Sequence, residues 1–173
     1  GDWSSDRSSW VTVVYTDGSG MAPSWPELRR CGWGFCQLGN NGMPVRGAWG
    51  ALQGPIQTVG RAERMAVLRA LLQLPKVTLV VTDLLSVYDE GVAWHQDQAY
   101  AQATYADIRR EIFAVVGDDC VPRFYWMPTH LSLEKALEYI HPFEVYLGNG
   151  WSEWVAKRGA REPACPDTSV KPS

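Results

Sequence analysis

Residues 13–20 read VVYTDGSG, an apolar run that passes through Thr16 into the acid Asp17 and then meets Gly18-Ser19-Gly20. Residues 77–84 repeat the figure as VTLVVTDL, with Val77, Leu79 and Val81 leading through Thr82 to Asp83. Short apolar runs bounded by turn residues read as buried strands. In an open α/β sheet, functional groups gather where strands end and loops begin. If both strands are central and parallel, Asp17 and Asp83 therefore stand side by side, two halves of one site.

The segments around this pair set the architecture. The first strand is expected over Trp10–Asp17, followed by a Gly- and Pro-rich loop. CGWGFCQLG (31–39) and VRGAWGALQG (45–54) read as a hairpin turned by Asn40-Asn41-Gly42. QTVGRAERMAVLRALLQLP (57–75) is the strongest helix, opening after Pro55 and halting at Pro75. A strand over Val77–Thr82, helices near 84–94 and 103–117, a strand at 121–128 and a last helix at 150–160 complete the order. The segment 130–149 reads as irregular with some helix. Strands mixed with helices in this order predict an α/β fold: a central mixed sheet of five strands with helices on both faces.

Two further acids fall on the helices. In the first helix, Val59, Ala62, Ala66, Val67, Ala70, Leu71 and Leu74 form a core-facing stripe, and Glu63 lies within it. A carboxylate aimed at a sheet needs a partner; a salt bridge to a nearby arginine would serve as well as a functional role. In the last helix, Glu153, Ala156 and Ala160 share a face, so small residues let the helix lie close and bring Glu153 to the sheet. Taken alone, Glu153 reads as an ordinary exposed helix acid. Trp151, Trp154 and Val155 read as core cover.

Composition narrows the classes. A chain of 173 residues with nine tryptophans supports one domain with a sizeable core. We assign residues 1–9 to a polar lead-in, 10–161 to the domain and 162–173 to a Pro- and Ser-rich disordered tail or linker, as in a piece of a longer protein. No apolar run reaches the length of a membrane span and no signal peptide is visible, so an intracellular location without membrane partners is expected. Cys31, Cys36, Cys120 and Cys165 lack zinc spacing and read as free thiols in a reducing compartment. The net charge of −3 argues against indiscriminate nucleic-acid binding, though not against binding through a local basic patch or bound metal.

Converging carboxylates repel unless cations hold them. Oxygen ligands suit Mg²⁺, with Mn²⁺ as a substitute. Two such ions about 3.5–4 Å apart can activate a water and stabilise the leaving oxygen of a phosphodiester. The small residues Gly18 and Ser19 allow close approach of a nucleic-acid backbone. Arg61, Arg64, Lys157, Arg158 and Arg161 are candidate phosphate neighbours, each equally readable as a solvated charge.

TDGS at 16–19, RAE at 61–63, TD at 82–83, WMPTH at 126–130 and GN…E..A at 148–156 occur in this order on strand, helix, strand, loop and helix. In these pieces the chain resembles ribonuclease H of the type 1 class, found as free enzymes and as domains of retroelement polyproteins. The resemblance covers most of the chain, Trp10 to Ala160. It implies an endonuclease that hydrolyses the RNA strand of RNA–DNA hybrids with two metal ions. Asp17, Glu63, Asp83 and Glu153 would be metal ligands, and His130 a loop histidine for proton transfer or product departure. Substrate contact would fall to Gly18, Ser19, Thr58, Arg61 and Asn149. A reverse transcriptase domain of the same polyprotein is the implied partner, with the chain itself monomeric.

The sequence departs from the pattern of that family in places. Glu153 stands where Asp is usual, Val59-Gly60 where asparagines often read the hybrid's minor groove, and Leu84-Leu85 where Ser-Gln is common. These changes put the usual 2′-OH contacts in question. They leave a second reading open, a weak or inactive domain of the same fold that binds nucleic acid or scaffolds a larger protein. Transposase- or integrase-like nucleases are disfavoured because Glu63 stands between the two aspartates. Proofreading exonucleases are disfavoured because position 19 is Ser rather than an acid.

Overall fold

The computed structural model describes residues 12–21, 29–39, 41–95, 105–116, 121–128 and 143–161. The expected lead-in and tail, His130, Cys120 and Cys165 lie outside them. Strands β1 (Val13–Met21), β2 (Arg30–Leu38) and β3 (Pro44–Ala51) come first. They are followed by α1 (Val59–Gln73), β4 (Leu79–Thr82), α2 (Leu85–His95), α3 (Ala106–Val116), β5 (Arg123–Trp126) and α4 (Phe143–Arg161). The five strands form one mixed sheet in the order β3-β2-β1-β4-β5. β1 pairs antiparallel with β2, and β2 with β3, while β1–β4 and β4–β5 are parallel.

Alternation along the strands gives the sheet two apolar faces. Val14, Trp33, Phe35 and Val80 pack with Ala66, Val67, Ala70 and Leu74 of α1, Val87 of α2, and Ile108 and Ile112 of α3. Tyr15, Cys36 and Val81 point the other way and gather Met127 and Trp151 of α4. Helices therefore cover both faces, as expected, with β1 in the middle. Cys31 and Cys36 are buried free thiols, and burial pushes the Cys36 thiol up to about 12.

α4 lies unusually close to the sheet, for a reason written in β2. A Cβ on Gly32 would collide with the backbone nitrogen of Ala160, and one on Gly34 would fall 2.6 Å from that of Ala156. Ala156 and Ala160 are buried against this floor. The hairpin turn forms as expected, with Gly42 at φ +77° and the Gly39 N–H donating to the Met43 carbonyl at 2.8 Å.

Several boundaries move. β1 runs through Gly18-Ser19-Gly20 to Met21, because β2 continues to pair with it as far as Met21↔Arg30. Only the parallel pairing with β4 stops early, at Tyr15↔Val81. α4 begins at Phe143 rather than near 150. Gly148 is a packing residue rather than a break, since a Cβ there would meet the Tyr15 ring. Val59, at the first turn of α1, and Trp154 are exposed rather than core. Among the described residues, no helix is long and apolar enough to cross a membrane.

Candidate metal centre

The two Thr-Asp pairs meet as the sequence suggested. Val13, Val14 and Tyr15 pair with Leu79, Val80 and Val81, and continuing that register carries Asp17 to Asp83. Each threonine is fully buried with its hydroxyl engaged, Thr16 across to β4 and Thr82 locally. The Thr16 hydroxyl donates to the Val81 carbonyl at 3.4 Å, while Thr82 Oγ1 accepts from the Leu84 N–H at 3.2 Å. The Gly18 N–H donates to Asp17 Oδ1 at 2.9 Å, and the Trp126 indole N–H donates to the Asp83 carbonyl at 3.2 Å.

α1 delivers the third acid. Thr58 caps the helix, its Oγ1 accepting from the Arg61 N–H at 3.2 Å. The first turns press against β1 so closely that a Cβ on Gly18 would fall 2.5 Å from the Glu63 nitrogen. One oxygen each from Asp17, Glu63 and Asp83 lies within 4.8 Å of the others.

Burial shapes the charge of this cluster. Desolvation pushes Asp17 up to about 8, the Asp83 charge adding to it and a hydrogen bond with Glu63 opposing it. Glu63 is held well above the ordinary carboxylate range by burial first and then by the charges of Asp17 and Asp83. Asp83 is raised chiefly by burial, with hydrogen bonds from Glu63 and Asp17 countering and the Glu153 charge adding. Glu63 Oε2 is buried without a hydrogen-bond partner among the described residues. Three clustered carboxylates, one of them with an orphaned oxygen, make the donor set of a hard divalent cation, and the residues fit one. The alternative partners for Glu63, Arg61 and Arg64, are turned elsewhere.

Glu153 stands near but outside the tight cluster. Its charge reaches Asp17 and Asp83, yet Lys157 Nζ holds its Oε1 at 2.8 Å. Asn149 lies one turn earlier in α4, its carbonyl accepting from Ser152 Oγ at 2.9 Å. Ser19 is half-buried beyond Asp17 on β1. Gly18 serves the approach of α1, whatever else it does.

The start of α1 is occupied in a way the sequence did not announce. Tyr105 leans over Gly60, its hydroxyl 3.1 Å from Thr58 Oγ1, and Arg64 stacks on its ring at 4.5 Å. Arg61 forms a forked pair with Asp107 at 2.8 and 3.2 Å, and its hydrogen bonds hold the Asp107 carboxyl below its ordinary value. Arg64 is buried, bonded to Glu90 at 2.6 Å and to the Gly60 carbonyl at 2.8 Å. It is a structural arginine rather than the phosphate neighbour expected. The acids Glu90 and Asp107 and the ring of Tyr105 lie more than twenty residues away in sequence, where no local pattern marks them.

No protein-family profile and no curated protein matches the chain. Solved structures do. The prototype foamy virus protease–reverse transcriptase matches with a TM-score of 0.60 at 21% identity over 88% of this chain. This chain spans only 21% of the length of that one. The foamy virus RNase H domain matches with a TM-score of 0.56 at 19% identity, covering 86% of this chain and 93% of that domain. LC11-RNase H1, in a complex with an RNA/DNA hybrid, matches with a TM-score of 0.55 at 16% identity, covering 86% and 96%. The chain has the ribonuclease H-like fold, in the form seen in type 1 ribonuclease H structures. Within it sits a buried acidic triad compatible with divalent metal.

Proposed function

We propose that this chain is a metal-dependent endonuclease that hydrolyses the RNA strand of RNA–DNA hybrids. The observation that carries the reading is the convergence of Asp17, Glu63 and Asp83, with donor oxygens within 4.8 Å and Glu63 Oε2 unpartnered, on a ribonuclease H-like fold. The presence of a hybrid in the complex of the similar LC11-RNase H1 supports the substrate class.

Asp17, Glu63 and Asp83 would hold the metal from three elements, and Glu153 would complete the set by exchanging Lys157 for it. Two Mg²⁺ ions, or Mn²⁺ in their place, supply when bound the polarisation of an attacking water and of the leaving oxygen. Ser19, half-buried beyond Asp17 with Gly18 behind it against α1, would meet a sugar–phosphate backbone, and Asn149 stands one turn from Glu153 to contact it. Thr58 and Arg61 reach substrate only if Tyr105 and Asp107 release them. His130 is assigned proton transfer or help in product departure. The likeness to a protease–reverse transcriptase supports a setting in a longer polyprotein, with a reverse transcriptase domain as partner and residues 10–161 as the monomeric hydrolytic domain. An intracellular site of action belongs to the same proposal.

Cleavage of an end-labelled RNA–DNA hybrid in Mg²⁺ and in Mn²⁺ tests this, with double-stranded RNA, double-stranded DNA and Asp17→Asn in parallel. Metal-dependent cutting of the RNA strand alone, lost in Asp17→Asn, is expected. An intact hybrid from folded protein in both metals would leave the second reading, a weak or inactive domain that binds or scaffolds. The Lys157 hold on Glu153 and the covered start of α1 are the observations that favour it.

A further inference from the structure

The outer side of α4 carries a feature that the acid cluster does not use. Trp154 is 49% exposed and Trp49, on β3, is 40% exposed. The Arg158 guanidinium lies between them, 5.0 Å from each ring centroid. Trp151 meets Trp154 edge-on at 6.0 Å. Trp49 reaches the helix because the register Gly34↔Trp49 places it on the sheet face that Gly34 opens to α4. β3 is an edge strand, so no further strand of the sheet covers this side.

Along 153–161 of α4 cations outnumber acids, Glu153 being the acid of that stretch. Lys157, Arg158 and Arg161 crowd the last turns of α4 in a chain whose net charge is −3. Lys157 is engaged with Glu153, whereas Arg158 and Arg161 have no carboxylate partner among the described residues. Exposed indoles take any base, because every base offers a π face, and an adjacent guanidinium pairs with the phosphate between bases.

We propose that Trp49, Arg158 and Trp154 form an accessory site for single-stranded nucleic acid, the indoles stacking bases while Arg158 and Arg161 meet phosphates. The cations complement a polyanion, and open rings flanking a cation suit a strand with unstacked bases better than a duplex whose bases are covered. None of the carboxylates assigned to metal takes part, so the site stands whether or not the chain cuts hybrids.

The test is binding of a fluorescein-labelled oligothymidylate of about fifteen nucleotides to the full chain by anisotropy, in EDTA, where no hydrolysis can occur. Wild type is expected to bind with quenching of tryptophan fluorescence. Trp154→Ala and Trp49→Ala should each weaken binding roughly tenfold, and Trp154→Phe should restore most of it. Arg158→Gln should also flatten the salt dependence by about one contact. Unfolding temperatures check that each variant is folded. Unchanged affinity in folded Trp154→Ala and Arg158→Gln would overturn the site. So would variants that keep oligonucleotide affinity but dissociate a self-associated species in sedimentation, which would make the face a protein contact.

Discussion

A carboxylate buried as deeply as Glu63, with one oxygen unpartnered, survives in a fold only where something else compensates its charge. Without metal, that compensation is a proton. Asp17 titrates at 3.8 when unperturbed and at about 8 in the fold. Between those values the folded state holds more protons than the unfolded chain, so stability falls as pH rises through the window. In EDTA the unfolding temperature is therefore expected to decline from pH 5 to pH 8, a decline that differential scanning calorimetry would show. Glu63→Gln removes one of the coupled acids and should shallow the slope. It should also raise the metal-free unfolding temperature at pH 8 by a few degrees, equivalent to roughly 1 kcal/mol. A flat profile in wild type would mean that these carboxylates ionise freely. The pair Asp17 and Asp83 was legible in the sequence because strands put identity and position in register. The hold of Lys157 on Glu153 was legible only as an i, i+4 spacing, and nothing local said that it would compete with a site.

At the scale of elements, two contacts position the acids. The first is the floor of Gly32 and Gly34 under α4. Gly34→Ala drives a methyl to within 2.6 Å of the Ala156 nitrogen and must lift the helix. Overpacking of this kind costs about 1–3 kcal/mol, measurable as a lower urea midpoint, and it carries Glu153 away with the helix. The second is the Arg64–Glu90 pair, which ties α1 to α2 while Tyr105 stacks on Arg64 from the start of α3. Removing one partner of a buried pair strands the other. Glu90→Ala is expected to destabilise by roughly 3 kcal/mol, less to the extent that water reaches the half-open carboxylate. A loss below 0.5 kcal/mol in chemical denaturation would show the pair to be incidental. The helix α1 was recognisable from its apolar stripe and Thr58 cap. The partners of Arg61 and Arg64 were not, because a stripe fixes which side faces the core but not which distant acid will claim a guanidinium.

For the whole molecule, one central sheet with a packed helical layer on each face should unfold as a unit. Metal that binds only the folded triad then raises the midpoint by linkage. A single transition is expected by calorimetry, shifted upward by Mg²⁺ or Mn²⁺ in wild type and unshifted in Asp17→Asn. A metal-induced shift that persists in Asp17→Asn would place the ions elsewhere. The acid site lies where β1 parts from β4, at Asp17 and Asp83, whereas the Trp49–Arg158–Trp154 face lies across α4 at the β3 edge. Asp17 and Trp49 can therefore be altered independently, whereas Glu153 and Trp154 are neighbours on α4.

The sequence by itself determined the order of elements, the five-strand mixed sheet and the meeting of Asp17 with Asp83, and it put Glu63 on the core-facing side of α1. Those follow from short-range rules: alternation along a strand, the period of a helix, and the crossover that sets parallel strands side by side. Tertiary structure alone decided that β1 continues past its glycines, that α4 reaches back to Phe143 with Gly148 packed on Tyr15, and that Tyr105 and Asp107 cover the start of α1. It also decided that Trp154 faces solvent beside Arg158. Each of these depends on which surface arrives from elsewhere in the chain, and burial is a property of the pair of surfaces rather than of either sequence segment.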